Sequence, residues 1–186
     1  KYKFNFSNWV ESKIDFKNQT NDQVLDLAKE SQEQKFDDKS NTLGVNFILT
    51  EKRFKDDFIT ENDIKYLREL SNGSYLDAEP SLSHDMTYPK ISAWIASLSP
   101  GNYIPYASAE LLIGLKMISR SSKPFPKKGF KAFQHSQILL HKLLEKLKVE
   151  EEVHSLYQNH LNRKLSKGDW AWIAQDFNLF LTRVFS

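Results

Sequence analysis

Between Tyr88 and Ser108 the chain reads YPKISAWIASLSPGNYIPYAS, and this run restricts the fold more than any other. Trp94, Ile95 and Leu98 sit at i, i+1 and i+4, so one side of a short helix is apolar and has to be buried. Pro100-Gly101 must stop that helix, because proline cannot continue it and glycine tolerates the reversed backbone. A second aromatic-proline turn follows at once in Tyr103-Ile104-Pro105-Tyr106. A short buried helix, a hard stop and a stiff turn leave the neighbouring elements little choice but to pack around them.

The remaining periodicity is helical. Thr20 or Asn21 can cap a helix over 20–36, with Val24, Leu25, Leu27 and Ala28 as a narrow apolar stripe. Thr60 and Asp63 have capping-box spacing ahead of Ile64, Leu67 and Leu70. Ser108 can cap a helix to about Ser119, with Leu111, Leu112, Leu115 and Ile118 inward. Residues 130–148 carry a wide stripe of Phe133, Ile138, Leu139, Leu140, Leu143, Leu144 and Leu147, and a further helix is expected over 150–165. Asp169 is expected to cap the last helix, on which Trp172, Ile173, Phe177, Phe180, Leu181 and Val184 recur at three- and four-residue steps. The fold expected is mainly α: an irregular helical domain, with a small β-hairpin near residues 43–58 as the one β element. The polar stretch 75–87 divides an N-terminal part, 1–87, from a helical part, 88–186.

At 186 residues, 40% apolar and 13% aromatic, the chain can build a core. There is no cysteine, which excludes disulfides and thiolate metal sites and fits the expectation of a cytoplasmic protein. No apolar run reaches the roughly 18 to 20 residues of a membrane span, so no membrane partner is expected. The N-terminus, interrupted by polar groups, is expected to be neither a signal nor a transit peptide and to be irregular. Lys1 stands where an initiator methionine would, so a piece of a longer protein is expected.

Chemistry is sparse. None of the six glycines forms a phosphate-binding loop. His135/His141 and His154/His160 are six apart, about 240° around a helix, so neither pair shares a face. No cofactor or metal is expected, and no catalytic residue is assigned. The triplets Glu11-Ser12-Lys13 and Glu33-Gln34-Lys35 have the residue types of a metal-dependent nuclease site, but are read as ordinary charged helix faces. Of the four tryptophans, Trp94 and Trp172 fall on apolar faces, while Trp9 and Trp170 are less constrained.

Charge is uneven. Residues 1–80 hold 12 basic and 16 acidic side chains, a net of −4, and residues 81–186 hold 14 and 8, a net of +6. Arg120, Lys123, Lys127, Lys128 and Lys131 lie within one acid-free stretch, with Phe125, Phe130 and Phe133 interleaved. Lysine and arginine neutralise phosphates, and an exposed ring stacks on a base. Arg120, Lys123, Phe125, Lys127, Lys128 and Lys131 are therefore the candidate DNA-contacting residues. The competing reading is a solvated loop anchored by Phe130 and Phe133.

Tyr88, Lys90, Trp94, Leu98, Pro100, Tyr103 and Pro105, with Trp170, Trp172, Asp176, Phe177 and Phe180 near the C-terminus, give residues 88–186 a pattern. It resembles the segment ahead of the AAA+ motor in McrB-type restriction GTPases. That resemblance implies a non-catalytic DNA-recognition or coupling module of a phage-defence restriction system, with the AAA+ GTPase domain elsewhere on the same chain. The alternative is a helical protein–protein adaptor that does not bind nucleic acid.

Overall fold

A computed structural model describes residues 2–33, 60–72, 88–106, 112–119, 126 and 129–185. They form eight helices: α1 (Tyr2–Lys13), α2 (Asn21–Glu33), α3 (Glu61–Ser71), α4 (Tyr88–Leu98), α5 (Leu112–Ser119), α6 (Gly129–Leu147), α7 (Glu151–Leu161) and α8 (Lys167–Phe185). The protein is mainly α, and the described residues hold no strand, only an isolated bridge between Pro100 and Tyr103. The hairpin expected near 43–58 lies outside the described residues.

Local chemistry sets the helix starts. Thr20 Oγ1 accepts from the Gln23 N–H at 3.3 Å, and Gln23 Oε1 accepts from the Thr20 N–H at 2.9 Å. Thr60 and Asp63 make the same reciprocal pair ahead of α3. At α8 the cap is Ser166, not Asp169. The Asp169 N–H donates to Ser166 Oγ at 3.2 Å, and Asp169 Oδ2 accepts from the Ser166 N–H at 2.7 Å. An S-x-x-D capping box therefore starts the helix three residues earlier than a lone N-cap aspartate would.

The N-terminus corrects a second expectation, because it is the regular helix α1. Its buried side comprises Phe4, Phe6, Ser7 and Val10, and Ile14, just past its end, is buried with them. A serine breaks the stripe and two rings flank it, so the apolar pattern does not stand out in the sequence. Trp9 is half-buried against the core.

The core gathers α1, α4, α6 and α8. Trp94 is buried and meets Phe6 edge-on at 5.3 Å between ring centres, and Trp172 is buried on α8. The expected division at residue 87 falls outside the described residues. Across it, α1 packs on α4 and α8, and α3 packs on α4. Helix α8 also lies along α5 and α6. The outer end of α8 departs from its sequence pattern: Phe177 is half-buried, and Phe180 and Val184 are 58% and 56% exposed. Ile138, expected inward on α6, is 57% exposed.

The turn after α4 ties these helices together. Gly101 takes φ +92, a conformation that favours glycine. The buried Gln137 amide accepts from the Ile104 N–H at 2.9 Å and donates to the Ile104 carbonyl at 2.8 Å. Ser92 Oγ does the same for Tyr106, accepting from its N–H at 2.7 Å and donating to its carbonyl at 3.1 Å. Tyr103 Oη donates to the Leu70 carbonyl at the end of α3, at 3.1 Å. Two side chains thus stand in for the strand that would otherwise pair with this extended backbone, as buried peptide groups require.

Candidate nucleic-acid interface

Helix α6 begins at Gly129, whose φ of +69 reverses the chain, and runs 19 residues. Ten of them are buried, including Phe130, Phe133, Leu140, Leu143 and Leu147. The opposite side carries Lys131, His135, Ile138, Lys142 and Lys146. At about 100° per residue these fall within a sector of roughly 80°. Lys131, Lys142 and Lys146 are exposed and His135 is half-buried. Lys131 and Lys142 lie nearly on one line, about 16 Å apart by helix rise. The one acid on α6, Glu145, is held by Lys148 at 3.3 Å. The exposed acidic run Glu150, Glu151 and Glu152 follows the helix in the chain.

Of the residues expected to contact DNA, Lys131 is exposed in the first turn of α6. Arg120, Lys123, Phe125, Lys127 and Lys128 lie outside the described residues. Phe130 and Phe133 do not offer stacking surfaces. They are buried, with ring centres 5.9 and 5.6 Å from Tyr88, and Phe133 also meets Tyr106 at 6.1 Å. Lys142 and Lys146 escaped the sequence reading. Their signal is a spacing of eleven and fifteen residues from Lys131 on one helix, which shows only when the polar face is traced as carefully as the apolar one.

Trp94 and Trp172 are core residues, and Trp170, 9% exposed, meets His154 edge-on at 4.5 Å. The His154 ring bonds the Lys148 carbonyl and the His141 ring the Asn102 carbonyl, both at 2.9 Å, so both rings brace turns. Among the described residues, no group of three or more His, Asp or Glu side chains is placed to hold a metal ion.

A second charged cluster sits where α8 meets α1. The Arg163 guanidinium grips the buried Asp169 carboxylate at 2.5 and 2.8 Å. The Glu11 carboxyl approaches the Gly168 backbone so closely that a Cβ there would clash with Glu11 Oε1. Ser7 Oγ donates to Glu11 Oε1 at 3.4 Å. Desolvation of this carboxyl and the neighbouring Asp169 raise Glu11 above the ordinary carboxylate value, while Ser7 and Arg163 pull it down. Glu11 and Lys13, two apart on helix α1, point about 200° from each other. They do not converge as a nuclease triplet would. The Glu33 side chain and Lys35 lie outside the described residues.

Compared with protein-family models, curated proteins and solved structures, the chain matches none. Among the described residues, no helix is long and apolar enough to cross a membrane.

Proposed function

We propose that this chain is a non-catalytic DNA-contacting module, of the recognition or coupling kind, in a McrB-like restriction system. It would act in the cytoplasm and pass DNA binding to an AAA+ GTPase domain of the same polypeptide. The observation that carries the DNA reading is the lysine face of α6, a helix that follows the basic segment 120–131 in the sequence. The restriction-system part rests on the sequence resemblance, whose Trp94, Tyr103 and Trp172 are core residues here. Lysines on a helix anchored by ten buried residues present charge to phosphates with little loss of backbone entropy on binding.

The adaptor reading has one observation in its favour. Phe180 and Val184 form an exposed apolar step, one turn apart, near the end of α8. Fluorescence anisotropy with a labelled duplex across a salt series separates the two readings. The DNA module binds weakly and loses affinity steeply with salt, because each neutralised phosphate releases counterions. Absence of binding at low salt would favour the adaptor.

A further inference from the structure

The basic face of α6 has an apolar centre. Ile138 is 57% exposed and lies close to the line joining Lys131, two turns before it, and Lys142, one turn after it. A single exposed isoleucine is ordinary on a protein surface, so its placement carries the argument. Building on the DNA reading of this face, we infer that α6 docks in the major groove of duplex DNA and sets Ile138 against the C5-methyl group of thymine.

The two lysines are about 16 Å apart along the helix axis, and the major groove, about 12 Å wide, admits an α-helix lying along it, from which long lysine side chains extend sideways. Lys131 and Lys142 reach the phosphate backbones on either side, and the residue between them faces the base edges. Isoleucine has no hydrogen-bonding group, so it cannot read the donor and acceptor pattern of the bases. The apolar feature that the major groove offers is the thymine methyl. Single strands suit this face poorly, because Phe130 and Phe133, the rings nearest Lys131, are turned into the core.

The test uses two duplexes of one sequence, with thymine in the first and uracil throughout in the second. This removes methyl groups and leaves every phosphate. Binding of the parent and of Ile138→Ala is measured by anisotropy at several salt concentrations. The parent should bind the thymine duplex about fourfold more tightly for one buried methyl contact. Ile138→Ala should bind both duplexes alike, with the parent's salt slope, since its lysines are intact. Equal affinity of the parent for both duplexes overturns the methyl contact while salt-dependent DNA binding stands. A preference retained by Ile138→Ala also overturns it. Failure of the parent to bind either duplex at low salt overturns both this inference and the DNA reading.

Discussion

Gln137 shows how much one side chain can hold. Its amide is buried on α6 and satisfies both the N–H and the carbonyl of Ile104, so α6 is keyed to the turn behind α4. Gln137→Leu fills similar volume but leaves two buried peptide groups unpaired. The expected loss is about 2 to 6 kcal/mol in denaturant melts, since each orphaned group costs roughly 1 to 3 kcal/mol. Glu11 acts in the opposite direction. Its carboxyl is raised by desolvation, so the fold favours the protonated form. For such an acid the stabilising contribution is present below the ordinary value and is lost as pH rises through the folded value. Ionised Glu11 is therefore a cost at neutral pH, and Glu11→Gln removes it. The melting temperature of Glu11→Gln should exceed the parent's at pH 7, and the gap should shrink as pH falls towards the ordinary carboxylate range. A gap that widens in acid would show that Arg163 dominates the carboxyl instead.

Helix pairs are fixed by close approach as much as by apolar stripes. Helix α5 meets α8 at Gly114, where a Cβ would lie 2.8 Å from the Asn178 carbonyl oxygen and 2.9 Å from Thr182 Oγ1. The Gly114 N–H donates to Thr182 Oγ1 at 3.1 Å. Gly114→Ala gains up to about 1 kcal/mol in helix propensity. It forces apart a backbone contact that has no flexible end to yield, and overpacking of this kind costs about 1 to 3 kcal/mol. A net loss of stability is expected in thermal melts. A rise would mean that α5 slides freely on α8. Position on a helix face gives a further contrast. Trp94→Ala should cost about 3 to 5 kcal/mol, and Phe180→Ala should stay within about 0.5 kcal/mol, both measured by denaturant unfolding.

These pairs also show what the sequence made legible. Apolar spacing with caps at Thr20 and Thr60 identified α2 and α3, and the Pro-Gly stop identified the end of α4, because those signals are local. Helix α1 was missed because burial of Ser7 interrupts its stripe. The outer turns of α8 and Ile138 were misplaced because periodicity names the residues on a face without telling how far along the helix a neighbour covers it. The candidate site followed the same rule. Clustering in sequence found Lys131, whereas Lys142 and Lys146 join it only through the helical repeat, and the burial of Phe130 and Phe133 is settled by Tyr88 and Tyr106, 27 to 45 residues away in the chain.

At the scale of the whole molecule, the helices divide the work. Helices α1, α4 and α8 build the tryptophan-rich core, the turn at Ser99–Tyr106 locks it, and α6 lends one side to the core and the other to solvent. The central claim is that this outer side meets DNA phosphates. The most direct measurement is anisotropy of a labelled duplex titrated with the parent and with the triple variant Lys131→Glu, Lys142→Glu and Lys146→Glu across a salt series, with circular dichroism melts as the check on folding. The parent should bind with a dissociation constant on the order of micromolar to 100 micromolar and a log–log salt slope of about −3 or steeper. The triple variant should melt like the parent and show no binding. A folded triple variant that binds as tightly as the parent, with the same salt slope, would contradict the account.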